Sequence, residues 1–172
     1  MFRSEEIEGD ISKGNFLVEV SLDRECEKMK MDKAFKEEIK IKGFLPSKKK
    51  SLGLFYKPDA ILENSNSVII CESSSGGDRK VHIGELMQFL SYVNGEKESK
   101  DNVYWILFLC GNGSTSPKVL QEQKRLHFYF KNFSMKNSER KRIKGMYVTN
   151  QKNTDISNLD LSQIKKFFRI DL

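Results

Sequence analysis

The sequence has 172 residues, of which 38% are hydrophobic and 31% are charged, and its formal net charge is +6. That length suits one compact domain with a hydrophobic core and is too short for two ordinary domains. No stretch approaches the roughly 20 apolar residues of a membrane helix. The amino terminus has no apolar signal-peptide core, so we expect an intracellular protein, either cytoplasmic or associated with the nucleoid or nucleus.

The three cysteines are Cys26, Cys71 and Cys110, and they form no CxxC pair and no cluster with histidine. Cys71 and Cys110 lie in strongly apolar runs. This placement favours buried free thiols over a zinc site.

Positive charge is concentrated in two segments. Between Lys118 and Lys144, nine Lys and Arg residues stand against two Glu residues, with aromatic residues among them, and a second cluster is Lys48-Lys49-Lys50. Phosphate contacts and base stacking use this combination, although a solvated helix face would account for the charge equally well. The residues that we predict to contact nucleic acid are Lys124, Arg125, Lys131, Arg140, Lys141 and Arg142.

The first third of the chain predicts one helix. Residues 1–15 are polar and are expected to be loosely ordered, and residues 16–22 predict a short strand or the start of a helix. From Asp23 to Lys42, apolar residues recur at mixed spacing among helix formers, which predicts an amphipathic helix ended by Gly43. A basic turn is expected at residues 46–50.

A β-hairpin is predicted in the middle of the chain. Residues 52–62 and 68–71 are apolar, strand-like runs, and the gap between them is dominated by Asn and Ser. Such a gap is typical of a hairpin turn. A flexible Ser/Gly loop follows at residues 73–78, and residues 83–93 have the apolar spacing of a helix that ends near Asn94-Gly95.

The segment at 103–110 is an unbroken apolar run, which predicts a strand that is buried on both faces. Pro117 opens a helix to about Phe130, a short strand is expected at 146–149, and a helix at 161–168. A buried strand after a strand–helix crossover implies a parallel pairing, so the predicted fold class is α/β with a mixed central sheet flanked by helices. We expect one domain over residues 1–172, with its core at about 23–150 and a C-terminal helix at about 160–169.

Two acidic residues of the hairpin are predicted to converge. If the chain turns between Ser65 and Asn66, residue i faces residue 131 − i, and Asp59 lies opposite Glu72. Opposed side chains on paired strands have Cβ atoms about 4.5–5.5 Å apart. Two carboxylates that close repel unless one is protonated or a cation binds between them. A turn one residue longer would shift the pairing and place Asp59 opposite Cys71.

Pro58-Asp59, followed by Glu72 in the next strand of a hairpin, resembles the motif of the PD-(D/E)XK nuclease superfamily. The likeness covers about residues 23–130, and the predicted element order is similar to the superfamily's helix–strand–strand–strand–helix–strand core. The resemblance implies a restriction-endonuclease-like core in which Asp59, Glu72 and the carbonyl of Cys71 bind Mg²⁺ or Mn²⁺. It also implies hydrolysis of phosphodiester bonds, with DNA as the partner. Because a chain of this length leaves little beyond the core, we expect specificity to come from structure recognition, an inserted loop, a homodimer or another subunit.

The motif departs from the superfamily at one position, because Ser74 stands where its lysine should be. Lys57 would face Ser74 in the same register, and Lys80 could reach the site from beyond the Gly76-Gly77 loop. The candidate catalytic residues are therefore Asp59, Glu72, Ser74, Lys57 and Lys80. The acid-x-Ser pattern with the later Gly84-Glu85 is also similar to a branch of type IIS restriction endonucleases. Alternatively, no residue replaces the motif lysine, and the site is degenerate and binds nucleic acid or a partner without cutting.

Other polar residues have both a functional and a purely structural interpretation. Glu85 is either a further metal or water contact or a favourable charge near a helix amino terminus. Glu37 and Glu38 either add an acid to the site or solvate the surface, and His82 is expected at the surface rather than as a base. The competing functions are a metal-dependent endodeoxyribonuclease, a non-catalytic nuclease fold that binds nucleic acid or a partner, and an unrelated basic α/β adaptor.

Overall fold

The computed structural model describes residues 34–75, 79–95, 100–110, 116–150 and 155–163. The predictions for residues 1–22, for the first part of the helix from Asp23, for Cys26 and for the last part of the predicted loop, residues 76–78, lie outside these ranges. So does most of the predicted C-terminal helix. The loop prediction is wrong for residues 73–75, which belong to a strand. Within the described ranges, no helix has both the length and the apolar character to cross a bilayer.

Five strands form one mixed sheet, and they follow each other in chain order across it. The first three strands pair antiparallel, and the last two pairings are parallel. This arrangement confirms the predicted α/β class and the parallel pairing after a strand–helix crossover. The strands are β1 (Leu45–Pro46), β2 (Ala60–Glu63), β3 (Ser67–Ser75), β4 (Asn102–Cys110) and β5 (Ile143–Asn150).

Three described helices make the connections between the parallel strands. Helix α1 (Arg79–Gly95) joins β3 to β4, and α2 (Ser116–Asn132) with α3 (Asn137–Arg142) joins β4 to β5. The predicted helices at 83–93 and 117–130 are confirmed and are slightly longer than expected. Helix α3 was not predicted, since its six residues include no buried side chain and therefore give no apolar pattern.

The sheet separates two hydrophobic clusters. Val68 and Ile70 of β3 pack on the α1–α2 face, whereas Ile69 and Cys71 face the second cluster, because successive side chains of a strand alternate. The second face is covered by residues 34–38, which are helical, and by the segment around Ile156. The interior of β4 is buried on both faces, as its apolar run predicts.

The hairpin register is the predicted one. Ala60 pairs with Cys71 and Glu63 with Val68, so paired positions sum to 131. The Asn64 side chain fixes the turn because its Oδ1 accepts hydrogen bonds from the backbone N–H groups of Asn66 (3.1 Å) and Ser67 (2.9 Å). The alternative turn that would shift the pairing by one residue is not formed.

The predicted strand at 52–62 is wrong over most of its length, because β2 begins only at Ala60. Leu52 and Tyr56 instead close a tight turn through an isolated bridge. Gly53 within that turn has φ +59, which is a left-handed conformation that glycine adopts without strain. The apolar side chains of Leu52 and Tyr56 anchor the turn in the core and so resemble strand residues in the sequence.

The predicted helix at 23–42 is wrong at its end, since helical structure stops at residue 38. Beyond it, the N–H groups of Lys40 and Lys42 donate to the carbonyls of Ile156 and Leu159, both at 2.8 Å. Those partners replace the hydrogen bonds that a continued helix would make. The strand predicted at 146–149 is present but starts earlier, at Ile143.

The start of the predicted C-terminal helix is confirmed for residues 161–163. There the Asp160 carboxylate accepts a hydrogen bond from the Ser162 N–H at 2.7 Å, as an N-terminal capping residue does.

Candidate functional site

The structure brings Asp59 and Glu72 together at the start of β2, as the hairpin register predicts. The Asp59 N–H donates to Glu72 Oε2 at 3.2 Å, and the Ser73 N–H donates to Asp59 Oδ2 at 2.7 Å. The Asp59 backbone thus positions the Glu72 carboxylate, and the backbone of Ser73, the residue after Glu72, positions the Asp59 carboxylate. Because Asp59 lies one residue before β2 and Glu72 lies inside β3, the sheet itself holds the two acids in place.

Glu72 is buried, with 4% of its surface exposed, and Tyr56 lies against it. The Tyr56 hydroxyl donates to Glu72 Oε1 at 2.6 Å. Burial raises the pKa of Tyr56 well above its usual value, and the negative charge of Glu72 raises it further. Tyr56 was missed in the sequence because it stands in an apolar run, where an aromatic residue is expected to pack rather than to orient a carboxylate.

Burial also raises the pKa of Glu72 to about 9, and the negative charges of Glu85 and Asp59 contribute to this rise. The hydrogen bond from Tyr56 opposes it. None of these three neighbouring side chains carries a positive charge. The Glu72 carboxyl thus holds a proton at neutral pH unless a cation neutralises it.

The carboxylate oxygens of Asp59 and Glu72 are hard donor atoms of the kind that Mg²⁺ and Mn²⁺ prefer. Over the described ranges, no group of three or more His, Cys, Asp or Glu side chains is arranged to hold a metal ion. Mg²⁺ usually binds proteins through only one or two carboxylates, together with waters and substrate phosphates. The Asp59–Glu72 pair fits that mode of binding.

Cys71 was predicted to offer its backbone carbonyl, which stays a prediction. Its buried thiol belongs to the second core cluster, on the face of the sheet away from Glu72. Cys71 and Cys110 are both free thiols, but only Cys71 is fully buried. The half-buried Cys110 donates its thiol hydrogen bond to the Ser74 carbonyl at 3.2 Å.

Ser74 lies two residues after Glu72 in β3, so both side chains point to the α1–α2 face, and Ser74 is buried. Lys57 and Lys80 are both exposed. The β2–β3 pairing begins at Ala60, so the ladder does not extend to Lys57 and does not set it opposite Ser74. The replacement of the motif lysine by either residue stays a prediction.

His82 was expected at the surface, and this expectation is wrong. Its side chain is completely buried between α1 and α2, where Nδ1 lies 3.2 Å from Glu122 Oε1. Arg125 forms an ion pair with the other oxygen of Glu122. Burial alone would raise the pKa of Glu122, but its contacts with His82 and Arg125 outweigh burial and lower it.

Three of the six predicted nucleic-acid contacts are exposed lysines, namely Lys124, Lys131 and Lys141. Lys124 and Lys131 are seven residues apart on α2, and Phe128, which is 63% exposed, lies between them at helical spacing. These three residues form one basic and aromatic stripe on the helix surface, which we call the α2 stripe.

The three predicted arginines instead make contacts within the protein. Arg125 pairs with Glu122, and Arg142 lies 2.5 Å from Glu139. Arg140 donates to the Phe133 carbonyl at 3.0 Å and stacks over the ring of Phe130. Their role in nucleic-acid binding stays a prediction, but each has a structural role in the folded chain.

No protein-family model matches this sequence, and comparisons with curated proteins and with solved structures found no significant match. The function is therefore inferred from the fold and from the geometry of the residues described above.

Proposed function

We propose that this protein is a metal-dependent nuclease of the PD-(D/E)XK type that hydrolyses phosphodiester bonds of DNA. The observation that carries the proposal is the hydrogen bond from the Asp59 N–H to Glu72, together with the one from the Ser73 N–H to Asp59, which bring the two acids together at the start of β2. The element order supports it, since a helical segment, three antiparallel strands, a crossover helix and a parallel strand follow in the order of the superfamily core.

A divalent cation bound by Asp59 and Glu72 would neutralise phosphate charge and lower the pKa of a water nucleophile. Neighbouring residues of the protein hold the two carboxylates in fixed orientations. Tyr56 and the Asp59 N–H each donate to one oxygen of Glu72, which fixes the plane of that carboxylate. The Ser73 N–H orients Asp59 in the same way.

In this proposal Ser74 occupies the position of the superfamily's lysine and offers a neutral hydroxyl to a phosphate oxygen or a water. Positive charge would come from Lys57 or Lys80, which are both exposed. Replacing each lysine by Ala separately identifies the one that serves. Replacing the lysine that supplies the charge should lower the cleavage rate without changing the unfolding midpoint.

The test is cleavage of plasmid and single-stranded DNA with Mg²⁺, with Mn²⁺ and with EDTA. Asp59→Asn and Glu72→Gln keep the size of the side chains, and each should reduce cleavage at least about 100-fold, the scale at which loss of a group directed at reacting charge is felt. Glu63→Gln, which changes an acid at the other end of the same hairpin, is the matched control. Cleavage that survives both site variants, or a folded wild type that never cuts, would refute the nuclease assignment.

A second candidate function is a nuclease fold that binds nucleic acid without cutting it. It is favoured by Ser74, because a serine cannot supply the positive charge of the motif lysine. Such a protein would bind DNA in EDTA with the salt dependence of phosphate contacts. It would bind equally well after Asp59→Asn and would show no turnover with either metal.

A further inference from the structure

An open cavity of about 370 Å³ lies between α1 and the turn at residues 52–56. Its walls include three aromatic side chains and the flexible thioether of Met87, with the polar groups of Gln88 and Ser91 on the α1 side. Ligand sites of this size typically combine an apolar lining with a few polar groups that fix orientation. The aromatic residues are Phe55, Tyr56 and Tyr92.

The cavity is joined to the candidate site through Tyr56. Tyr56 is one of the residues that line the cavity, and its hydroxyl donates to Glu72 Oε1 at 2.6 Å. A group bound in the cavity is therefore separated from the Asp59–Glu72 pair by a single side chain.

The turn at residues 52–56, which forms one wall of the cavity, is anchored at both ends although the tip of the turn is exposed. Leu52 and Tyr56 exchange backbone hydrogen bonds of 2.8 and 3.3 Å, and both side chains are buried in the core. Between them, Leu54 is 83% exposed and Phe55 is 87% exposed. The anchored base presents these two apolar side chains to solvent, in the way that apolar wedges of nucleic-acid-binding proteins are presented.

The charge around the turn selects an anionic partner. Lys48, Lys49, Lys50 and Lys57 are all exposed, and no acidic residue occurs from position 48 to position 57. Single-stranded nucleic acid combines a negative backbone with planar bases that stack on aromatic rings. A cavity lined by aromatic residues, with four exposed lysines close by in the chain, matches both features.

We propose that this cavity binds one unstacked nucleobase of a nucleic-acid strand, with Phe55 as the stacking surface and Gln88 and Ser91 at the base edge. The proposal rests on the nuclease function in assigning the adjoining phosphodiester to Asp59 and Glu72. It adds a substrate preference, because a base that is already unpaired reaches the cavity without the cost of unstacking a duplex. Single-stranded or unpaired sites are then preferred to intact duplex.

The test measures binding in EDTA, where no metal-dependent cleavage occurs, to a single-stranded oligonucleotide that contains 2-aminopurine and to the matching duplex, each as DNA and as RNA. Leu54→Ala/Phe55→Ala should weaken single-strand binding about 10-fold, within the roughly 5- to 150-fold range of one base–aromatic stack, and leave the salt slope unchanged. The bound wild type should change the 2-aminopurine fluorescence, and the variant should not.

Leu45→Ala/Leu120→Ala is the matched control, since it removes two exposed leucines that do not line the cavity. It should bind as the wild type does. Unchanged binding by Leu54→Ala/Phe55→Ala, or an equal loss for single strand and duplex, would overturn the proposal. So would binding to vesicles of anionic lipid that depends on Leu54 and Phe55 while oligonucleotide binding does not.

The same measurements separate this proposal from the nuclease function. If binding depends on Leu54 and Phe55 but neither metal supports cleavage, the cavity assignment stands and the nuclease assignment fails. If Leu54→Ala/Phe55→Ala binds and cuts single strands as the wild type does, the cavity assignment fails and the nuclease assignment stands.

Discussion

At the scale of single residues, the site depends on a buried carboxyl that has polar neighbours of its own. Glu72 accepts hydrogen bonds from the Tyr56 hydroxyl and the Asp59 N–H, and burial raises the pKa of Glu72 to about 9. The sequence predicted the Asp59–Glu72 pair because the position of the turn fixes the strand register, and the register assigns each residue its partner. Tyr56 could not be predicted in the same way, since the register sums to 131 and would set Tyr56 opposite Ser75 rather than Glu72.

The raised pKa of Glu72 predicts how stability changes with pH. Its folded value of about 9 exceeds the usual 4.5, so the folded state binds more protons than the unfolded state between these values. The stabilising contribution is complete below about pH 4.5 and is lost as pH rises through 9. Glu72→Gln should therefore raise the free energy of unfolding at pH 8 by on the order of a few kcal/mol relative to the wild type, measured in urea without divalent metal.

Glu63→Gln serves as the control for this pH experiment, because it removes an acid from the same hairpin. Its difference from the wild type should not follow the same pH curve. Parallel curves for the wild type and Glu72→Gln between pH 5 and 9 would show that Glu72 does not titrate as described.

Tyr56→Phe tests the hydrogen bond to Glu72 directly. Removing the hydroxyl leaves a buried carboxyl oxygen without its 2.6 Å donor, which should cost about 1–3 kcal/mol of stability. Urea unfolding compared with Tyr129→Phe, a change on the partly exposed surface of α2, measures this cost. Equal midpoints for the two variants would contradict the role of Tyr56.

At the scale of elements, apolar patterns predicted what lies inside the sheet better than what borders it. The run at 103–110 predicted a buried strand, and β4 is one. The run at 52–62 looked similar, but Leu52 and Tyr56 use their apolar side chains to anchor a turn. Whether an apolar residue pairs in a strand or anchors a loop depends on contacts distant in sequence, which the pattern does not contain.

His82 shows the same limitation for a polar residue. In the sequence it stands among charged residues near a helix start, and its partner Glu122 lies in another helix. The pair ties α1 to α2, so Glu122→Gln should destabilise the fold by about 1–3 kcal/mol through a weakened buried contact. Thermal unfolding should show a lower midpoint than for Glu139→Gln, whose ion pair is less buried; equal midpoints would argue against a buried anchor.

At the scale of the whole molecule, the positive charge divides into a structural part and an exposed part. The arginines at 125, 140 and 142 make internal contacts, whereas the α2 stripe presents Lys124 and Lys131 to solvent. The sequence predicted the basic segment correctly as a charge pattern. It could not separate arginines that make contacts within the protein from lysines whose side chains are exposed.

Charge reversal at the α2 stripe tests its place in the interface. Lys124→Glu/Lys131→Glu should weaken DNA binding and lower the slope of log affinity against log salt by about one per lost phosphate contact. Lys42→Glu, an exposed lysine outside the basic segment, is the control. An unchanged slope in the double variant would remove the α2 stripe from the interface.

The central claim is that Asp59 and Glu72 together bind a divalent cation. Calorimetric titration of Mn²⁺ at pH 7.5, in buffers of different ionisation enthalpy, tests it without any assumption about the substrate. The wild type should bind one ion and release about one proton, because Glu72 with a pKa of about 9 must lose its proton to become a ligand, and Asp59→Asn and Glu72→Gln should abolish that binding. Mn²⁺ binding of equal affinity in all three proteins, or binding without proton release, would contradict the claim.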